Sequence, residues 1–342
     1  MLRILLFLIA FTSLVFSLVA VLDYWGYEEK AHDIATLMQE TVTTTALEQR
    51  IEAAIQKDAP SEARMYLGVA ERFNYPVNEA AYLSRIAALE TPWHNTRRNV
   101  TAFAGGFMGG QGGGSTAGMA GAITADFTVV GDVRDLHEQY GKYAAGESVN
   151  ELIVGLAGIG VGLTAATVAS SGALAPAKTG TSALKAAMRA GKITPAFQRV
   201  LLRQSSAVFD YSAFLKAARA DSSVAALRRA AVNAYQPRAF KALSQTTERV
   251  NNIRKSTSMA DTVELLRYVE NTDDLRRVER LSQTYGAQTR GILHLLGRSA
   301  IGTLRVLRHA TEFIVAIASA AFSLLATLLS MSAWIRKKPA KA

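Results

Sequence analysis

Residues 99–125 read NVTAFAGGFMGGQGGGSTAGMAGAITA, residues 152–177 read LIVGLAGIGVGLTAATVASSGALAPA, and neither arm contains a charged residue. Glycines recur at four-residue spacing in both arms, at Gly106, Gly110, Gly114 and Gly118 and again at Gly158 and Gly162. This spacing places small residues on one face of a helix, where a second helix can approach to backbone contact, as lipid-embedded helices do. The pattern predicts a Gly-rich hydrophobic helical hairpin over residues 99–177.

Each part of this hairpin has a second interpretation. The first arm is also compatible with a flexible Gly-rich linker. The second arm is apolar and long enough to span a bilayer, so the hairpin is expected to span the membrane, lie at its interface or pack as a buried pair. The link between the arms carries Asp132, Asp135 and Glu138, which we interpret as solvated residues.

Both ends of the chain carry apolar segments. Residues 4–22 follow Arg3 and have the composition of a signal peptide or a membrane anchor. A cut after Ala20 would place Leu18 where a signal peptidase needs a small residue, which favours an uncleaved anchor. Residues 313–334 are uncharged and long enough to span. They end at Trp334, and the basic residues Arg336, Lys337 and Lys338 follow, as expected at a membrane interface.

The sequence therefore predicts an all-α, membrane-anchored protein with a transmembrane helix at each end. The expected segments are an anchor or signal (1–22), an acidic helical unit (23–98), the hairpin (99–177), a basic helical region (178–310), a transmembrane helix (311–335) and a basic tail (336–342). Within them, residues 27–58 show helical periodicity. Candidate N-caps are Asn78, Thr181, Thr194, Asp221 and Asp261.

Residues 291–310 show a separate pattern. His294, Arg298, Arg305 and His309 fall on one helical face, opposite an apolar face. This predicts a basic amphipathic helix that lies in the membrane interface through Arg298 and Arg305. An ordinary helix that packs on a core remains the alternative.

Charge is unevenly distributed along the chain. The net charge of +10 combines a balance of −4 in residues 23–98 with one of +14 in residues 176–311. A basic half suggests anionic lipid or nucleic acid as a partner. Nucleic acid is not expected, because the aromatic residues of the basic half fall on apolar stripes and no known binding module is present. Membrane lipid and a protein partner or a second copy of the chain are the expected partners.

No motif indicates catalysis, a cofactor or a metal. Gly160-Val161-Gly162-Leu163-Thr164-Ala165 matches a dinucleotide fingerprint as a string, but no acidic residue stands between Glu151 and Asp210 to bind a ribose. The five histidines lack metal-ligand spacing, and the chain has no Cys for thiolate ligands. We therefore expect a non-enzymatic protein without cofactor or metal.

Residues 127–192 carry a family resemblance. The residues concerned are Val130-Gly131-Asp132-Val133-Arg134-Asp135-Leu136, Gly146-Glu147, the apolar run, Lys185-Ala186 and Ala190-Gly191-Lys192. This segment resembles the hydrophobic pretoxin segment of bacterial polymorphic toxins, and the whole chain looks like uncharacterised bacterial membrane proteins. The resemblance implies a membrane-associated helical segment in a secretion-linked protein. The segment covers about a fifth of the chain, and no recognisable toxin domain follows it.

Together these features predict a structural or interaction protein of a bacterial inner membrane, with both termini cytoplasmic and the body largely periplasmic. The alternative is a membrane-inserting, pore-forming or toxin-related protein, which would insert the hairpin rather than keep it packed.

Overall fold

The computed structural model describes residues 2–25, 27–31, 33–91, 129–169, 174–307 and 310–335, and helices predominate in them, as predicted. The chain divides into two compact units. The terminal unit combines residues 1–32 with residues 302–342, and the helical unit comprises residues 33–301. The first glycine-rich arm, with Gly106, Gly110, Gly114 and Gly118, lies outside the described residues.

The described residues of the terminal unit form two long helices and two short strands. They are α1 (Leu2–Tyr24), β1 (Tyr27–Ala31), β2 (Thr303–Leu307) and α16 (Ala310–Ile335). The strands pair antiparallel, with Tyr27 opposite Leu307 and Ala31 opposite Thr303. The sequence analysis missed this pair, because it assigned both five-residue segments to longer helices, over residues 27–58 and 291–310. Helices α1 and α16 are both long and apolar enough to cross a membrane.

The helical unit contains fourteen α-helices among its described residues. They are α2 (Ile34–Thr41), α3 (Thr44–Gln56), α4 (Pro60–Arg72), α5 (Glu79–Leu89), α6 (Val129–Ala144), α7 (Glu151–Ala169), α8 (Ala175–Arg189), α9 (Pro195–Val208), α10 (Tyr211–Ala220), α11 (Val224–Ala234), α12 (Lys241–Ser256), α13 (Met259–Leu265), α14 (Thr272–Tyr285) and α15 (Thr289–Leu296).

Local side chains determine where several helices begin. The predicted caps Asn78 and Thr194 are confirmed, since each side chain accepts a hydrogen bond from the backbone of the first helical turn. The caps predicted at Thr181, Asp221 and Asp261 are wrong. Thr181 lies inside α8, while Ser223 and Ser258 cap α11 and α13.

Two predicted helices are interrupted. Residues 27–58 form β1, α2 and α3, because Asp33 and Thr43 each supply a new N-cap. Residues 291–310 do not form one amphipathic helix, because Gly297 takes a positive φ of 59° and ends α15. A short 3₁₀ segment follows at Gly297–Ile301, and the chain then enters β2.

The helical unit has two adjoining hydrophobic cores. The first joins α2–α5 to parts of α8, α9 and α12–α15, and the second joins α6, α7, α10 and α11. The acidic residues 33–91 thus share a core with the basic region, and the second glycine-rich arm lies within the same unit as both. Helix α7 contributes to both cores, and every position from Leu152 to Leu163 is buried.

Candidate functional site

The two terminal helices form an antiparallel pair held by serine hydroxyl groups. The Oγ atoms of Ser13 and Ser323 lie 2.8 Å apart, and those of Ser17 and Ser319 lie 2.9 Å apart. Near the end of the pair that leads to the strands, the rings of Trp25 and Phe313 meet edge to face at 5.5 Å. Small hydroxyl side chains allow close approach and supply hydrogen bonds, which is how helices associate where no water is present.

The outer surface of this pair is apolar. Exposed leucine, isoleucine, valine and phenylalanine side chains cover both helices, among them Leu8, Phe16, Leu22, Phe322 and Leu329. Buried positions include Ser17, Ser323 and Thr327, and these polar side chains lie on the inside. The pair is therefore polar at its contact and apolar at its surface, the reverse of a helix pair in water.

A groove of about 680 Å³ follows one side of the pair. Its lining includes the hydroxyl groups of Ser13, Ser17 and Ser319 and the side chains of Tyr24 and Glu312. The carboxylate of Glu312 accepts a hydrogen bond from Thr311 at 3.3 Å. Tyr24, Thr311 and Glu312 lie near the end of the pair that adjoins the strands, and the three serines lie further along the groove.

Helix α7 is buried from Leu152 to Leu163, and its glycines are the points where neighbouring side chains come closest. A Cβ atom at Gly158 would overlap the ring of Phe209, and one at Gly162 would overlap the ring of Tyr235. These two predicted packing residues therefore face aromatic side chains. Close approach of a glycine to helix backbone occurs at Gly180 of α8, where a Cβ would lie 2.8 Å from the Cα of Thr247 in α12.

Arg298, which was predicted at the membrane interface, instead pairs with acidic side chains of the helical unit. The other residues of that prediction have side chains outside the described part of the chain. Arg298 forms ion pairs with Asp274 at 2.9 Å and Glu270 at 3.3 Å. Arg305 belongs to β2 and Trp334 to α16, but their side chains are outside the described part. The residues Arg336, Lys337 and Lys338 also lie outside the described residues.

A buried ion cluster joins α6 to α8. The Nζ atom of Lys185 donates to Asp132 and, at 3.0 Å, to Asp135, and all three side chains are at most 1% exposed. Arg189 pairs with the second oxygen of Asp135 from the rim. Interpreting Asp132 and Asp135 as solvated was wrong, because the packing of α6 on α7 and α8 takes both carboxylates out of water. Glu138 is exposed and pairs with Lys142.

Asp132 is the least satisfied member of this cluster. Its Oδ2 atom has no hydrogen-bond partner among the described residues and lies against Gly160, where a Cβ would be 2.5 Å away. Burial raises the pKa of Asp132 to about 6, although Lys185 opposes the rise. At neutral pH the cluster therefore holds a buried carboxylate at an electrostatic cost.

A second polar network joins α4 to α13 and α15. The hydroxyl of Tyr66 lies 3.0 Å from Nδ1 of His294, and Arg290 pairs with Asp261 at 3.0 Å. Burial raises the pKa of Tyr66 to about 12 and lowers that of His294. Both groups are thus neutral at pH 7, and the network connects early and late parts of the chain.

Neither network is placed to hold a metal ion. Among the described residues, no group of three or more His, Cys, Asp or Glu side chains is placed to hold a metal ion. Comparisons of the chain with protein-family models, curated protein sequences and solved structures found no match. A function is therefore proposed from the geometry of the structure. The terminal helix pair is the starting point, because its apolar outer surface is the feature least compatible with water.

Proposed function

We propose that this chain is a non-enzymatic integral protein of a bacterial inner membrane, in which α1 and α16 anchor the helical unit for a structural or interaction role. The observation that carries the proposal is the pair's polar contact and apolar outer surface. Exposing apolar area to water costs roughly 25 cal/mol per Å², so about twenty exposed large apolar side chains strongly favour a lipid environment.

The distribution of exposed apolar residues supports the same assignment. In the described part of the helical unit, Val224 and Val232 are the only large hydrophobic side chains that are exposed. The other exposed large hydrophobic side chains belong to α1, α16 and the adjoining Trp25. A protein with one water-compatible unit and one lipid-compatible unit fits an anchored domain.

An antiparallel pair of spanning helices places both termini on one side of the bilayer and residues 33–301 on the other. Arg3 and the basic residues after Trp334 favour the cytoplasm for the termini by the positive-inside rule. The helical unit is then periplasmic. Its net positive charge does not oppose this orientation, because long domains translocate largely regardless of charge.

Membrane attachment is tested by washing membranes with alkaline carbonate, which removes peripheral proteins. We expect the full chain to remain in the pellet. A matched variant in which Leu8, Phe16, Phe322 and Leu329 are all changed to Lys should be lost from it, because charge at bilayer depth is costly. Release of the unmodified chain would show that the terminal helices are not embedded.

A second function is suggested by the apolar sequence of α7, which is buried from Leu152 to Leu163 and would have to leave the helical unit in order to insert. Its sequence has the length and composition that the pretoxin resemblance associates with membranes, and Asp132, Asp135 and Lys185 belong to the same resemblance. A membrane-inserting or pore-forming protein would release this helix from the helical unit. Leakage of potassium from loaded liposomes on addition of the purified chain would favour this function over the scaffold.

A further inference from the structure

The solvent face of α11 differs from the rest of the helical unit's described surface. Val224 is 61% exposed and Val232 is 38% exposed. They stand eight residues apart, with Arg228 between them, so all three share one broad face of the helix. The neighbouring side of the helix is packed, since Leu227, Ala231 and Ala234 are buried in the second core.

This face is also basic, and few acidic residues lie near it along the chain. Residues 222–247 contain no Asp or Glu, whereas Arg228, Arg229, Arg238 and Lys241 are all exposed. No ion pair involving these four residues is found in the described part of the chain. The nearest acidic residue along the chain, Asp221, accepts a hydrogen bond from the backbone N–H of Ser223. Hydrogen bonds from Ser223 lower the pKa of Asp221, and the charge of Arg229 lowers it further as a smaller contribution.

Isolated exposed valines are ordinary on protein surfaces. Here, however, the two large apolar side chains that are exposed in the described part of the helical unit occupy one helix and flank an arginine without an ion pair. Lys or Arg side chains next to exposed apolar side chains occur on helices that lie on anionic membranes. Two valines offer too little apolar area for a stable protein interface, which buries at least about 1,000 Å².

We propose that the solvent face of α11 is a docking surface for the headgroups of anionic phospholipids. Arg228 and Arg229 contact the phosphates, while Val224 and Val232 enter the boundary between headgroups and acyl chains. The inference rests on the proposed anchoring, because the terminal helices keep the helical unit close to a bilayer and so raise the local concentration of lipid. Each basic residue near such a surface contributes attraction that salt weakens.

The absence of cysteine permits a direct test in the full chain. Val232→Cys is labelled with an environment-sensitive fluorophore, and the protein is reconstituted into bilayers of phosphatidylcholine or of phosphatidylcholine with phosphatidylglycerol. Spin-labelled lipids near the headgroup should quench the probe in the anionic bilayers and leave it bright in the neutral ones. Ser84→Cys on α5 is the matched control, since that position is also exposed and should stay unquenched in both.

Neutralising the arginines gives the second measurement. Arg228→Gln with Arg229→Gln should reduce the equilibrium constant for docking roughly 30-fold, at about fivefold for each charge. A probe at Val232 that is no better quenched than the one at Ser84 overturns the proposal. Equal quenching in neutral bilayers also overturns it, and a probe already shielded in detergent indicates a protein contact instead.

Failure of the docking surface is distinguishable from failure of the anchor. A chain that floats with vesicles after carbonate washing while its Val232 probe stays in water retains the anchor and lacks the docking surface. A chain that does not float lacks the anchor, and the docking proposal falls with it.

Discussion

Glycines in α7 show how far single residues can be interpreted from sequence. Their spacing predicted close packing of another helix, and a Cβ atom at Gly158 or Gly162 would overlap an aromatic ring. The neighbours were not predictable, since Phe209, Tyr235 and Asp132 lie tens of residues away along the chain. The aromatic neighbours of Gly158 and Gly162 follow from the packing of several helices around α7.

Gly160 provides a test of this packing. Gly160→Ala should destabilise the helical unit by roughly 1–3 kcal/mol, because the new Cβ would lie 2.5 Å from a buried carboxylate oxygen of Asp132. Gly141→Ala on α6 is the control, since nothing lies within 4 Å of its Cβ position. That change should stabilise the protein by up to about 1 kcal/mol through helix propensity. Urea unfolding followed by circular dichroism measures both, and equal midpoints would contradict the close contact.

We predict that Lys185 offsets the cost of burying the carboxylates of Asp132 and Asp135. Lys185→Met should lower the free energy of unfolding by about 3–5 kcal/mol, because Asp132 and Asp135 would lose their shared cation. Lys142→Met removes a lysine from an exposed pair with Glu138 and should cost less than about 1 kcal/mol. The two variants are compared by urea unfolding. Similar small losses would show that water reaches the cluster.

Asp132 should make stability depend on pH in an unusual direction. Its pKa is raised to about 6 in the folded protein, so between pH 6 and pH 4 the folded state binds more protons than the unfolded chain. Its contribution therefore increases the free energy of unfolding as pH falls, by at most about 3 kcal/mol. Asp132→Asn should lack this contribution, so the stability difference between the two proteins should change across this range. A constant difference would contradict the raised pKa.

Helices were more predictable than the cluster that joins them. Apolar periodicity and capping residues act within a few positions, so Asn78 and Thr194 were correctly assigned as caps. The ion cluster joins residues about fifty positions apart, and local periodicity contains no such information. Strands β1 and β2 were missed for the same reason, because they acquire partners only when the two ends of the chain meet.

The antiparallel contact of α1 and α16 predicts a specific crosslink. Ser17→Cys with Ser319→Cys should form a disulfide within one chain on mild oxidation, because the two hydroxyl oxygens are 2.9 Å apart and disulfides need closely spaced Cβ atoms. Phe16→Cys with Phe322→Cys is the control, since both side chains are about 75% exposed on the outer surface. Gel mobility before and after reduction detects the crosslink. A crosslink in the control alone would show that the helices meet through other faces.

For the chain as a whole, composition and the two apolar ends identified the fold class and the pair of candidate spanning helices. The division into units was less accessible, because residues 33–91 are acidic and residues 178–301 basic, which suggested separate units. Their shared core includes apolar residues from both, such as Val69 and Ile292, and the Tyr66–His294 contact joins the same helices. Charge distribution describes surfaces, and it does not show which buried faces meet.

The last prediction concerns the membrane topology of the chain, which is set by the helices at both ends. If α1 and α16 span as an antiparallel pair, a cysteine at Ser84 and a cysteine at Ala340 must be on opposite sides of the membrane. In cells with a permeabilised outer membrane, a maleimide that cannot cross the inner membrane should label Ser84→Cys and leave Ala340→Cys unlabelled until the inner membrane is opened. The lack of native cysteine makes each signal specific. The opposite order would invert the orientation, because it would place the basic tail outside, and labelling of both positions in intact cells would show that α16 does not span.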